Sequence, residues 1–171
     1  MKGISLFLSS FVALLLALAS CCAWSENLDI VGTWKLISMT ARDETTGKES
    51  NIYGENPLGF LTYTAGGRMS AVIAAADRKI SADSAGRATP EEQTMLFRRS
   101  FAYAGSYTLT EDGVIHHVEV AADPTWIGGD QRRFARLQGN RLIILTPPHK
   151  GPVSPNPVVI SAVFERIEGA V

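Results

Sequence analysis

Short runs rich in β-branched and aromatic residues alternate with turn residues over most of the chain after residue 29. Six of these runs form three pairs, and the two members of each pair are separated by a short segment that contains glycine. Glycine readily adopts the positive φ that tight hairpin turns require. The connecting segments are Ala65-Gly66-Gly67, Glu111-Asp112-Gly113 and Gln138-Gly139-Asn140. The pattern therefore predicts three β-hairpins.

Two further runs, one near each end of this region, bring the count to eight strands. The predicted strands are 30–40, 58–64, 68–75, 106–110, 114–121, 131–137, 141–146 and 158–167. The polar stretch 42–50 is predicted to be an exposed loop. The proline-rich segment 147–157 is also predicted to be a loop, because proline cannot pair in a strand interior. Eight strands joined by short turns suit a mainly β fold, a single antiparallel up-and-down barrel. A sandwich of two sheets fits the same count.

One helix is predicted between the third and fourth strands. Thr89 begins a capping box that Glu92 completes three residues later, and Pro90 suits the first helical position. The helical spacing of Phe97 and Phe101 predicts a helix over about 90–103 that packs its aromatic side chains on the sheet. There it either covers apolar surface or closes one mouth of the barrel.

The first 25 residues have the pattern of a secretory signal, with Lys2 before the apolar run 4–19. This run is shorter than the roughly 20 residues of a membrane-spanning helix. Leu18-Ala19-Ser20-Cys21 resembles the site at which bacterial lipoproteins are cut and lipidated, whereas cleavage after Ser25 would remove both cysteines. We therefore expect one exported domain over 26–171, periplasmic or secreted. It would contact a membrane only through a lipid on Cys21.

Composition narrows the class of partner. The 171-residue chain has a formal net charge of −1, and removal of the leader with Lys2 changes this to −2. A nearly neutral domain argues against nucleic acid, which binds strongly basic surfaces. No cysteine follows Cys22, so the domain has no thiol pair to form a disulfide.

The sequence contains few candidate residues for metal binding or for nucleophilic catalysis. His116 and His117 are adjacent on a predicted strand, so they point to opposite faces and cannot chelate one ion together. His149 is the only other histidine, and we expect neither a metal nor a cofactor. No Gly-x-Ser-x-Gly motif is present to supply a hydrolase nucleophile.

Two sets of motifs carry a family resemblance. Gly32-Thr33-Trp34, at the start of the first strand, is similar to the Gly-x-Trp signature of lipocalins. A longer series of strings resembles the bacterial lipocalin-like domain family, a group of calycin-type barrels. These strings are Gly59–Thr64, Gly67–Ala71, Ala88–Glu92, Tyr103–Tyr107, His116–Val120, Pro124–Gly128 and Gln131–Phe134. The resemblance implies a barrel in which Trp34 closes one end and Arg166, near the end of the last strand, stacks on its ring.

The stretch His116-His117-Val118-Glu119 is the most chemically suggestive. On a strand His117 and Glu119 share one face, and on the following strand Gln131 and Arg133 share a face. If the two faces match, these four residues form a polar cluster. Pointing inward, it would bind a ligand's polar group, with Glu119 paired to Arg133. Pointing outward, it would be a solvated surface, and the apolar character of Val118 on the other face favours that placement.

Aromatic residues with a polar tip suit a cavity that is apolar overall and selective at one point. The predicted ligand-binding residues are Tyr63, Met69, Tyr103, Tyr107, His117, Glu119, Trp126 and Arg133. We expect an exported protein that binds or carries a small, largely apolar molecule. The alternative is an isomerase or cyclase acting on a polyketide-like or terpenoid-like molecule, with His117 and Glu119 as acid–base groups and Tyr107 or Tyr63 as proton donor. A third alternative is an interaction protein with a filled barrel.

Overall fold

The computed structural model describes residues 28–151 and 154–167, which form a closed antiparallel β-barrel. Eight strands make up the barrel: β1 Gly32–Asp43, β3 Leu58–Tyr63, β4 Arg68–Ala74, β5 Ser100–Thr110, β6 Gly113–Ala121, β7 Asp130–Gln138, β8 Arg141–Leu145 and β10 Ser154–Arg166. They lie side by side in this order. The short strands β2 (Glu49–Asn51) and β9 (His149–Gly151) extend the sheet beside β1 and β10.

The first strand closes the barrel because it pairs on both sides. Trp34 lies opposite Leu61 of β3 and opposite Arg166 of β10. Consecutive barrel strands pair through the three predicted hairpins, and Gly67 adopts a φ of 76° in the first of them. The mainly β, eight-stranded barrel predicted from the sequence is therefore confirmed, and a two-sheet sandwich is excluded.

The helix is shorter than predicted. Helix α1 spans Pro90–Arg98, and the predicted capping box joins Thr89 to Glu92. The chain then enters β5 at Ser100, because residues 100–106 pair along β4 and satisfy their backbone groups there. The predicted packing of an aromatic helix face is wrong, since Phe97 is 56% exposed and Phe101 belongs to a strand.

The last strand begins earlier than predicted, inside the segment that we expected to be a loop. Strand β10 starts at Ser154 and includes Pro155 and Pro157, where the pairing with β9 is irregular. The carboxylate of Asp43 accepts hydrogen bonds of 2.9 Å from the side chains of Ser154 and Asn156. These bonds hold the start of β10 where regular backbone pairing with β9 is absent. Two short 3-10 helices, Ala85–Arg87 and Pro124–Trp126, complete the described elements.

One end of the barrel is closed by the pair that the family resemblance implies. Trp34 is fully buried, and its indole N–H donates a 2.8 Å hydrogen bond to the carbonyl of Ile30. The Arg166 guanidinium lies 4.2 Å from the centre of the Trp34 ring, a cation–π contact. The same guanidinium donates to the carbonyls of Val31 and Asp29 at 2.6 and 2.8 Å. It therefore ties the segment before β1 to the end of β10.

Candidate functional site

A cavity of about 630 Å³ occupies the half of the barrel away from Trp34 and opens to the outside. Its wall is mainly apolar and is formed by inward-facing residues of most of the barrel strands. Those of β1, β3, β4, β8 and β10 are Met39, Leu61, Ala71, Ile73, Ile144, Ile160, Ala162 and Phe164. A volume of several hundred Å³ is typical of sites for one small molecule.

One side of the cavity is aromatic. Phe101 and Tyr103 are two residues apart on β5, with ring centres 5.9 Å apart. The ring of Trp126, in the second 3-10 helix, lies 6.2 Å from that of Phe101 and 5.4 Å from that of Tyr103. Tyr53 adds a ring 6.1 Å from Phe101. This aromatic wall offers flat apolar surfaces with the edges and faces that favour another aromatic ring.

A hydrogen-bonded cluster lies on the inner side of the cavity. His116 of β6 is 1% exposed and is the one polar or charged residue among those found buried in the described ranges. The Tyr63 hydroxyl lies 2.7 Å from its Nε2, and the Tyr103 hydroxyl lies 2.7 Å from its Nδ1. We call these three residues the Tyr–His–Tyr cluster. His116 and Tyr103 border the cavity, whereas Tyr63 lies behind them in the core.

The surroundings of this cluster keep it neutral. Burial, together with the nearby charges of Arg133 and His117, lowers the pKa of His116 from 6.5 to about 3. Burial raises the pKa of Tyr63 and of Tyr103, and the positive charge of Arg133 opposes both increases. At neutral pH the imidazole and both phenols are therefore uncharged.

Arg133 of β7 places a positive charge at the cavity. Register places Arg133 opposite Val114 and Gln131 opposite His116, so both β7 side chains share the inward face of β6. The Arg133 guanidinium donates to the Gln131 side chain at 3.2 Å and to the backbone carbonyl of Arg132 at 2.8 Å. Both acceptors are neutral, so the cavity contains a cation beside the Tyr–His–Tyr cluster.

The predicted four-residue polar cluster is split by the sheet. His117 faces outward, where its ring contacts Asp130 at 2.7 Å and Thr108 at 2.9 Å. Glu119 also lies outside and accepts two hydrogen bonds of 2.6 and 2.7 Å from Arg68. The inward placement of His117 and Glu119 is therefore wrong, and the expected Glu119–Arg133 pair does not form.

Both the alternation of the strand and a bulge explain this outcome. Because His116 points inward, its neighbour His117 must point outward. Opposite Gly105 the register then shifts by one residue at Glu119, which leaves Val120 also 59% exposed. A side chain at Gly105 would meet the His117 carbonyl, since an added Cβ would lie 1.9 Å from that oxygen.

The other six predicted ligand-binding residues fall into two groups. Tyr103, Trp126 and Arg133 border the cavity. Tyr63, Met69 and Tyr107 lie nearer the Trp34 end and are not part of the cavity wall among the described residues. The Tyr107 hydroxyl donates to the carbonyl of Thr64 at 2.9 Å.

His116 was not predicted as a functional residue, although its position on the strand carries a signal. His116 alternates with Val114 and Val118 on the apolar face of β6, which is the inward face of a barrel strand. A histidine on such a face needs partners, and inward positions of β3 and β5 carry the tyrosines that supply them.

The described residues bear on two further questions, metal binding and membrane spanning. In residues 28–151 and 154–167, no three histidine, cysteine, aspartate or glutamate side chains are grouped to hold a metal ion. Over the same residues, no helix is long and apolar enough to cross a bilayer. Cys21 and the predicted signal lie outside the described residues.

The closed barrel, the aromatic cavity and its polar inner side define a β-barrel of the kind that encloses one small molecule. Residues 31–158 match the lipocalin-like domain family. A protein from Aspergillus oryzae, 4'-hydroxy-3'-methoxypropiophenone carrier protein ppsC, is 34% identical to this chain over 86 residues, which cover 46% of this chain and 70% of that protein. This chain therefore belongs to the lipocalin-like domain family.

Proposed function

We propose that this protein is a carrier that binds one small, largely apolar molecule in its barrel cavity. The observation that carries the proposal is the cavity of about 630 Å³ that joins an aromatic wall to a polar inner side. Such a site binds an apolar body by burial and orients it through a few polar groups. The lipocalin-like family and the carrier relative support the same function.

The molecule that we propose has an aromatic ring and at least one oxygen. The relative's name specifies a hydroxy- and methoxy-substituted propiophenone, which is an aromatic ketone. Phe101, Tyr103 and Trp126 supply ring surfaces for such a body, and Tyr103 and Arg133 supply polar groups beside it.

The enzyme alternative loses the residues on which it depended. His117 and Glu119 face solvent in contact with Asp130 and Arg68. The Tyr107 hydroxyl is bonded to a backbone carbonyl, and the Tyr63 hydroxyl is bonded to His116 behind the cavity wall. None of these groups can reach a molecule inside the cavity, so the geometry favours carriage.

The carrier proposal is tested by filling the cavity. Ala162 faces inward on β10, whereas its neighbour Ser161 pairs with Thr40 and Leu145 on the outer face. We expect wild-type protein to bind the neutral fluorescent probe N-phenyl-1-naphthylamine and to release it when 4'-hydroxy-3'-methoxypropiophenone is added. Ala162→Phe should reduce probe binding at least about tenfold because the added ring occupies the cavity, and Ser161→Phe should not. Equal binding by both variants, or no binding by the wild type, would refute the proposal.

We also propose that the protein is bacterial and exported, with residues 1–25 as its signal, and that it is anchored by a lipid on Cys21. The support is the leader pattern and the Leu18-Ala19-Ser20-Cys21 string. Expression of the full chain in a bacterium should place the wild type in the membrane fraction and Cys21→Ala in the soluble fraction. Recovery of the wild type in the soluble periplasm would leave export standing and reject the anchor.

A further inference from the structure

The protons of the Tyr–His–Tyr cluster can be assigned one by one. A neutral imidazole has one N–H donor and one lone pair, yet each ring nitrogen of His116 faces a phenol at 2.7 Å. One tyrosine hydroxyl must therefore donate a hydrogen bond to the ring, and the other must accept a hydrogen bond from the ring N–H.

Burial decides which tyrosine donates. Tyr63 is 1% exposed, and in the described residues its hydroxyl has no hydrogen-bond partner other than His116. If Tyr63 accepted a hydrogen bond from the imidazole N–H, its own O–H would be buried without an acceptor, which is unfavourable. Tyr63 therefore donates to Nε2, and Nδ1–H of His116 donates to Tyr103.

This assignment leaves the Tyr103 O–H without an acceptor of its own. Tyr103 borders the cavity, so its proton is available to a bound molecule. The Arg133 guanidinium borders the same cavity and donates to the neutral oxygens of Gln131 and the Arg132 backbone. It also lies beside the Tyr103 hydroxyl, where its charge and its hydrogen bonding partly offset the rise that burial causes in the pKa of Tyr103. In the described ranges, no carboxylate forms a salt bridge with Arg133.

An acceptor oxygen that carries negative charge would satisfy both groups. The hydroxyl of Tyr103 offers a neutral donor, and Arg133 offers a charged donor in a largely apolar site, where charge-assisted hydrogen bonds are strong. The adjacent aromatic wall selects an aromatic body.

We propose that the cavity binds a phenol as its phenolate, with the phenolate oxygen held between the Tyr103 hydroxyl and the Arg133 guanidinium. The phenol loses its proton to solvent on binding, and its ring lies against Phe101 and Trp126. This inference rests on the carrier function proposed above and specifies the chemistry of its ligand.

The test uses two probes that differ in one acidic proton, 4'-hydroxyacetophenone and 4'-methoxyacetophenone. Ionisation of the hydroxy probe is followed by the red shift of its ultraviolet absorbance, at a pH below its own pKa in water. We expect the bound hydroxy probe to show the phenolate band in wild-type protein. Arg133→Gln should abolish the band and weaken binding of this probe about tenfold to 100-fold, and Tyr103→Phe should weaken it about fivefold. Binding of the methoxy probe should change much less in both variants.

Arg68→Gln is the control, because Arg68 does not border the cavity and its guanidinium is held by Glu119 on the outside of the barrel at 2.6 and 2.7 Å. It should retain the phenolate band. If Arg133→Gln does not fold, Arg133→Lys keeps the charge without the planar fork and should retain the band at reduced affinity.

The two proposals fail in different ways. Binding of the hydroxy probe as a neutral phenol, with the same affinity in wild type and Arg133→Gln, would overturn the phenolate site while leaving the carrier function intact. Failure of wild-type protein to bind either acetophenone or N-phenyl-1-naphthylamine would refute both.

Discussion

Two adjacent histidines on one strand have opposite surroundings. His116 points into the barrel, is 1% exposed and meets two phenols, whereas the side chain of His117 is 38% exposed and meets Asp130 and Thr108. One step along the backbone therefore separates a buried neutral group at the cavity from a solvated group on the outer surface.

The same division repeats on the next strand. Arg133 points into the cavity, while Arg132 binds Asp112 outside and lies 5.4 Å from the centre of the Phe134 ring. Residue type thus does not mark the site in this fold. The face of the sheet does, because it decides whether a polar group loses its water and needs a protein or ligand partner.

Truncating each histidine in turn should produce the largest contrast in stability. His116→Ala leaves two phenols without a partner and opens a void, so we expect the free energy of unfolding to fall by about 2–4 kcal/mol. His117→Ala removes solvent-exposed contacts and should cost about 1 kcal/mol or less. Urea unfolding of both variants measures the difference. Equal losses would mean that the buried cluster contributes no more to stability than the surface pair.

As the pH falls, His116 should lower the free energy of unfolding before most carboxylates become protonated. The pKa of His116 is about 3 in the folded protein, against an ordinary value of 6.5, so the unfolded chain binds the extra proton between these limits. Stability therefore falls as pH decreases through this window. Between about pH 6.5 and pH 5 we expect a loss of about 1.5 kcal/mol from this group alone.

The effect is isolated by comparing wild type with His116→Gln, which cannot titrate. Asp43, Asp112, Glu119 and Asp123 have pKa values lowered by hydrogen bonds, and their contribution is lost mainly below pH 5. Urea midpoints from about pH 6.5 to pH 5 should therefore decline more steeply in wild type than in His116→Gln. Parallel curves would show that His116 is not the group responsible.

Much of the fold follows from local patterns that the sequence displays. Glycine-containing turns identify the hairpins, and the capping box at Thr89 identifies where the helix starts. The end of the helix does not follow, because the pairing of Ser100 and Phe101 with β4 overrides their helical spacing. That pairing joins residues distant in the chain, and helical periodicity contains no information about it.

The candidate site is only partly predictable for a related reason. Tyr103, Trp126 and Arg133 can be selected as amphipathic or charged residues near predicted strands. Matching the faces of β6 and β7 requires the register, and the register places Arg133 opposite Val114 instead of beside Glu119. A shift of one residue moves a side chain to the other face, so a correct strand assignment still leaves the site undetermined.

The weakest effect is expected for an ion pair on the outer face of the barrel. Glu119 and Arg68 form a bidentate pair in which each side chain is at least half exposed, so solvent and salt screen it. Glu119→Gln removes the charge with little change in shape. Urea unfolding should place the variant close to wild type, and any small difference should shrink further at high salt. Because the pair lies outside the barrel, binding of N-phenyl-1-naphthylamine should be unchanged. A clear loss of probe binding would mean that the outer face bearing Glu119 affects the cavity.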